Sequence, residues 1–255
     1  MTARQPTPRA IQYGGPHHRI ANKPVKGTGA RITLMPDHPA MREGRTIFPS
    51  RVVHPDDSPR LLVSGTNQRK IGVKVTKGRW KGFPLYTLTL EERATCPRSC
   101  SEWATCYGSN MNWSRRHMHG IDLEVRLIDE IVELERKHPS GFAVRLHILG
   151  DFYSVAYANL WRHLLAECPA LHVFGFTARQ PGTDIGAAVT AMNAENPGRC
   201  AIRFSGRDSL VIDRHEDSEH VVCPAQSDPK GKRCCGTCAL CWAMPLDRPV
   251  EFVRH

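Results

Sequence analysis

Hydrophobic residues settle into regular periods only after about residue 80 of this 255-residue chain. Residues 83–90, FPLYTLTL, are rich in aromatic and β-branched side chains and stop at the charged turn EER, which predicts a buried strand. Between residues 113 and 138, Ile121, Val125, Ile128 and Val132, with Leu127, Ile131 and Leu134, recur in steps of three and four. That spacing predicts a long amphipathic helix with these residues on one face. A strand is expected over residues 142–149, ending at Gly150-Asp151. Ser154 then stands as N-cap of a helix whose stripe is Tyr157, Leu160, Trp161, Leu164 and Leu165. Residues 171–177, LHVFGFT, and 200–205, CAIRFS, read as two further strands. Between them lies a helix that Asp184 caps and Asn196-Pro197-Gly198 ends. This alternation predicts right-handed βαβ units and a parallel sheet, hence an α/β fold. Four clear strands are too few for a closed eight-stranded barrel, so the expected architecture is an incomplete (β/α) barrel or an open parallel sheet.

Buried parallel strands normally read as unbroken apolar runs, and these do not. Arg145 and His147 alternate with Leu146 and Ile148, Arg203 and Ser205 with Ile202 and Phe204, and Thr177 and Arg179 follow Gly175. A period of two puts the polar members of each strand on one side of the sheet. Polar groups near the carboxyl ends of parallel strands are where such folds hold a ligand, so this face is the expected site. A purely structural network with Asp151 is the alternative.

Charge divides the chain unevenly. Residues 1–80 hold 15 Lys and Arg against 4 Asp and Glu, while the remainder holds 20 against 21, so the whole excess of the +10 net charge is in the first third. Residues 1–63, rich in Pro, Gly and His and without a sustained period, are expected to form a loosely ordered basic arm. Such an arm either neutralises phosphates of a nucleic acid or stands in solvent. The α/β core then covers residues 64–215 and a cysteine-rich segment residues 216–255. No apolar run is long enough to span a bilayer, and the first residues lack a signal-peptide core, so a cytoplasmic protein without a membrane partner is expected. In that compartment clustered cysteines are ligands more often than disulfides.

Five of the ten cysteines fall in the last 33 residues. Cys223, Cys235, Cys238 and Cys241 supply four ligands to a metal centre, with Cys234 as a spare. Their Cys-x2-Cys-x2-Cys spacing is dense for a zinc ribbon and suits an iron–sulfur cluster. Cys96, Cys100 and Cys106 form a second group in the loop after the first strand. Three thiolates there hold a four-iron cluster with one iron left open, or three corners of a zinc site completed by His117 or His119. Spacing leaves both metals open. Cys168 and Cys200 stand alone and read as core thiols.

Several stretches in order, KIGVKVTKGRWKGFPLYTLTLEERATCP, CYG, RLHILGDFYS, FGFTAR, IRFSG, CPAQ and CGTCALCW, resemble the phage gene product 88-like domain family, over roughly residues 64 to 245. That family is of unassigned activity and is distantly similar to radical S-adenosylmethionine enzymes. The resemblance implies a bacterial host, a partial barrel and a cluster on Cys96, Cys100 and Cys106. It also implies that Gly150 and Asp151 contact S-adenosylmethionine, with Arg145, His147, Thr177, Arg179, Arg203 and Ser205 lining the cofactor or an anionic substrate. The chain departs from the radical-enzyme pattern in having five residues between Cys100 and Cys106, where two are usual. The rival expectation is a non-catalytic zinc module whose basic arm binds nucleic acid.

Overall fold

The computed structural model describes residues 32–68, 70–212, 218–228 and 233–253. In chain order its strands are β1 (Val52–Val53), β2 (Val63–Ser64), β3 (Leu85–Thr87), β4 (Arg116–His117), β5 (Phe142–Leu146), β6 (Leu171–Thr177), β7 (Cys200–Phe204), β8 (Ser209–Ile212), β9 (Val221–Val222) and β10 (Val250–Val253). The helices are α1 (Pro39–Glu43), α2 (Ile121–Lys137), α3 (Val155–Glu167), α4 (Asp184–Glu195), α5 (Pro224–Ser227), α6 (Cys235–Cys238) and α7 (Leu240–Ala243).

The main sheet has the order β2-β3-β5-β6-β7, antiparallel at the β2 edge and parallel elsewhere. The four parallel strands follow one another in chain order, and right-handed crossovers then send α2, α3 and α4 to the same face. That face is the larger core. Leu123, Leu127 and Ile131 of α2, Tyr157, Trp161 and Leu165 of α3, and Val189 and Met192 of α4 pack on Phe142, Val144, Leu146, Val173, Ile202 and Phe204. The sheet is an open one among the described residues, with β2 and β7 at its edges. No helix among the described residues is long and apolar enough to cross a membrane.

The opposite face is covered by the C-terminal segment. Trp242 stacks on Trp80 at 4.9 Å between ring centres and meets Phe174 at 4.5 Å, and Ala239 joins the same cluster with Leu85, Ala143 and Ala201 from the sheet. Small residues at Ala143 and Ala201 leave room for the tail to lie close. A smaller parallel sheet, β8-β10-β9, closes the C-terminal end and has no counterpart in the expected pattern.

Local expectations meet the structure unevenly. Ser154 caps α3, its hydroxyl accepting from Tyr157 N at 3.0 Å. For α4 the cap is Thr183, one residue before Asp184, because the Thr183 hydroxyl reaches Gly186 N. The helix expected within residues 113–138 begins at Ile121, and its apolar residues divide between two faces. Leu123, Leu127, Ile131 and Leu134 are buried, whereas Ile121, Val125, Ile128 and Val132 are exposed. Steps of three and four link both sets, and only packing separates them.

The basic arm also needs correction. Its first 31 residues lie outside the described residues, but from Ile32 onward the chain is packed rather than loose. Ile32, Leu34, Ala40 and Ile47 form a small core of their own, and Leu61 and Leu62 enter the main one. This region folds without a long period because short turns, α1 and isolated apolar residues do the burying.

Candidate functional site

β3 runs into a turn, Glu91-Glu92-Arg93, whose three charged residues look like a surface feature in the sequence. All three are buried, at 1%, 0% and 3% exposure. The Glu91 carboxylate accepts from Arg45 Nε and Nη2 at 2.7 and 2.6 Å. Glu92 accepts from Arg116 Nε at 2.7 Å and from the Thr46 hydroxyl at 2.7 Å. Arg116 Nη2 also donates to Glu92 Oε1 at 3.2 Å, and its other donors go to the carbonyl oxygens of Gly108, Met111 and Ser114. Buried ions persist only when paired and hydrogen-bonded, and this pairing fixes both ends of the loop that carries the first three cysteines.

Cys96, Cys100 and Cys106 are each partly buried in that loop as free thiols. Burial, then the Asp151 carboxylate and the neighbouring Cys106, push the Cys96 thiol well up. Burial pushes Cys100 and Cys106 up to about 11 each, while the Arg93 charge pulls both the other way. Cys100 and Cys106 both raise Cys96, and Cys100 raises Cys106. They are thiols at neutral pH and need a cation to become thiolates together.

Gly150-Asp151 lies against the same loop. Gly150 takes a left-handed φ of +86°, and a β-carbon there would meet Leu90 Cβ and Thr95 Oγ1 at 2.6 Å, so only glycine fits. Asp151 N donates to Thr95 Oγ1 at 3.1 Å. The Asp151 carboxylate accepts from Phe152 N, Thr177 Oγ1 and Ala178 N, all at 2.7 Å. Burial raises its pKa to about 6 against those hydrogen bonds. Arg179 completes the junction by donating to the carbonyls of Phe152 and Thr95 at 2.7 and 2.6 Å. Gly150, Asp151, Thr177 and Arg179 therefore join the tips of β5 and β6 to the entry of the three-cysteine loop.

The second cysteine group converges more visibly. Cys223, Cys235, Cys238 and Cys241 line one cavity, whose other walls are Pro224, Ala225, Ala239, Leu240, Trp242 and Val250. The lining is sulfur and carbon, with no acid, base or amide side chain. Burial pushes the Cys223 and Cys235 thiols up, and Cys241 to about 12, with neighbouring thiols of the group adding to it. Cys234, the spare, is elsewhere: its sulfur packs on Gly72, where a β-carbon would sit 2.6 Å from it, and contacts the Thr237 hydroxyl. The segment is held to the core by Cys235 N to Lys70 O at 2.8 Å, Gly236 N to Ile71 O at 2.9 Å and Thr76 N to Gly236 O at 2.9 Å.

The expected polar sheet face resolves into different tasks. Arg203 is fully buried and gives all five N–H groups to carbonyls of the tail: Cys241, Leu246, Arg248, Met244 and Pro245. It binds the protein's own backbone and has no donor left for an external anion. His147 does not share a face with Arg145. Regular pairing stops at Leu146, so alternation ceases, and His147 turns to the helix side, its Nε2 3.0 Å from the Tyr157 hydroxyl and its ring against Phe152. Ser205 continues β7, its N–H bonded to Thr177 O at 2.8 Å. Arg145 remains: among the described residues its side chain makes one hydrogen bond, to Leu146 O, and it lies over Phe176 at 4.8 Å and Phe174 at 5.7 Å. Its charge is felt at Tyr107 beside the first cysteine group and at Cys235 and Cys241 of the second, so it stands between the two.

Cys168 and Cys200 are buried in the helix-side core, as expected of packing thiols. His117 is buried in β4 and His119 packs on Tyr153 at 5.0 Å. Among the described residues, no group of three or more His, Cys, Asp or Glu side chains is arranged to hold a single metal ion. No protein-family model, curated protein or solved structure matches the chain.

Proposed function

We propose that this chain is an iron–sulfur protein with two thiol sites: a four-cysteine site in the tail cavity and a three-cysteine site at the carboxyl end of the sheet. The observation that carries the reading is that Cys223, Cys235, Cys238 and Cys241, spread over 19 residues of chain, line one apolar cavity while Cys234, next to Cys235, faces away. An all-sulfur donor set in a wall of carbon suits soft, thiophilic centres, and the apolar shell would govern solvent access and potential. In this reading the three thiols of Cys96, Cys100 and Cys106, carried by one loop, would hold a cluster with one iron left for a small ligand. S-adenosylmethionine is the ligand proposed there, with Arg145 as partner of its carboxylate, since the described residues engage its guanidinium in one hydrogen bond. When bound, a reduced cluster would supply the electron for cleavage of the sulfonium C–S bond. In this reading Gly150, Asp151 and Arg179 hold the loop in place and exclude water, and do not themselves grip the cofactor.

The test is anaerobic purification followed by iron, sulfide and zinc analysis and an absorption spectrum. Brown protein absorbing near ~400 nm, with iron and sulfide in equal amounts, supports the reading. Colourless protein carrying zinc overturns it and leaves the zinc module. Reductive cleavage of S-adenosylmethionine by the loaded protein, lost in Cys100→Ser, tests the enzymatic part. A nucleic-acid partner is proposed on the charge of the first third alone; binding whose affinity falls steeply with salt would support it.

A further inference from the structure

Arg93 is a buried guanidinium without a carboxylate partner among the described residues. It is 3% exposed, and the two acids beside it in sequence are already gripped by other cations, Glu91 by Arg45 and Glu92 by Arg116. Its Nε donates to Trp103 O at 3.0 Å and its Nη2 to Ser109 Oγ at 3.2 Å, one on each side of Cys106. Its Nη1, also buried, has no hydrogen-bond partner among the described residues. The backbone adds to the case: Arg93 adopts a left-handed φ of 63°, a conformation that costs any residue with a β-carbon. Glycine or asparagine would fill this turn more comfortably, so the side chain is what the position requires.

A buried unpaired charge and a buried unpaired donor are both costly, and each implies a counterpart. The two hydrogen bonds locate that counterpart, since Trp103 and Ser109 flank Cys106 and hold the guanidinium, with its unpartnered Nη1, inside the three-cysteine loop. We infer that Arg93 is the counter-charge of the three-cysteine site, its free Nη1 donating to the metal-loaded, anionic form of that site. Arg93 is thus a positioning residue. Loading removes protons from the thiols to solvent as metal–sulfur bonds form; the charge left on the sulfurs is balanced by the guanidinium already in place.

This inference rests on the three cysteines binding a metal centre, and the experiment separates the two. Wild type, Arg93→Gln and Arg93→Lys are reconstituted anaerobically with iron and sulfide. Iron per chain, affinity for iron in competition with a chelator, and the reduction potential of each centre are then measured. The tail site, which Arg93 does not touch, serves as the internal control for folding. Expected are loss of the three-cysteine centre's share of iron, or about 10- to 100-fold weaker retention of it, in Arg93→Gln. Whatever cluster remains should have a lower potential, because removing a positive charge disfavours the added electron. Arg93→Lys should recover the potential more than the retention, as it restores charge but not the fork. Arg93→Gln with wild-type retention and potential would overturn the inference and leave the metal reading intact. A variant that loses iron equally from both sites would also overturn it, by marking Arg93 as a folding residue. A wild type that takes up no metal overturns the reading and the inference together.

Discussion

The Nε–H of Arg203 donates to the carbonyl oxygen of Cys241 at 3.0 Å, so the backbone of the last cysteine of the tail cavity is fastened directly to the outermost parallel strand. The other four N–H groups of Arg203 take the next irregular carbonyls along the tail. An irregular segment laid on a sheet has no partner strand for its carbonyls, and one guanidinium supplies the donors. Arg203→Leu should therefore cost about 3 kcal/mol or more, since hydrogen bonds to charged groups contribute about 1.5–3 kcal/mol and buried carbonyls would be left unpaired. Urea denaturation measures the loss, and limited proteolysis should cut first between residues 241 and 248.

Gly236 permits the tail to approach the strip before β3. A β-carbon there would stand 2.3 Å from Lys74 O. Gly236→Ala should lift α6, destabilise the fold by about 1–3 kcal/mol and reduce metal content at the tail site, read by thermal denaturation and metal analysis.

The tail cysteines are not equivalent. Cys238→Ser should lose the tail centre and the stability it contributes, because binding energy at such sites is folding energy. Cys234→Ser should retain metal at the wild-type level, as its sulfur faces Gly72. Metal loss in both variants would place Cys234 in the ligand set.

Acid should weaken the fold through two buried histidines. Burial lowers His147 to about 3 and His117 to about 4, from 6.5. The unfolded chain takes up both protons below pH 6.5 while the folded chain does not, so each removes about 1.4 kcal/mol per pH unit as pH falls. Asp151 acts in the opposite sense: its folded value of about 6 lies above 3.8, so the folded chain binds this proton first and gains stability between pH 6 and 4. These three groups together leave a loss of about 1.4 kcal/mol per unit in that window. In His147→Gln their contributions should nearly cancel there, flattening the dependence, as urea midpoints between pH 4 and 6 would reveal.

Removing residues 1–60 should strongly destabilise the protein. Arg45 and Thr46 would be lost, leaving the buried Glu91 and Glu92 short of partners. Stripping one side of a buried ion pair costs about 3–5 kcal/mol. Circular dichroism and thermal melting of the truncated chain measure it.

Sequence alone determined the repeating units of this fold. Strand 171–177 stands where its apolar run puts it, Ser154 caps its helix, and the alternation of periods yields a parallel sheet with helices between strands. These features are local: each depends on residues within a few positions of one another. The nearness of Cys235, Cys238 and Cys241 was legible for the same reason, because short spacing limits how far thiols can diverge, whereas Cys223, twelve positions before Cys235, reaches their cavity only through the fold.

What the tertiary structure decided depends on which surface meets which. Period and composition could not tell the buried stripe of α2, at Leu127 and Ile131, from the exposed one at Val125 and Ile128. They could not distinguish Arg145, with one side-chain hydrogen bond among the described residues, from Arg203, consumed by tail carbonyls. Nor could they show that Glu91-Glu92-Arg93, a run with every mark of a solvated turn, is buried. Its partners Arg45 and Arg116 lie 46 and 24 residues away from the acids they hold. A pairing between charges so distant in sequence leaves no periodic trace, and only the packed chain brings them together.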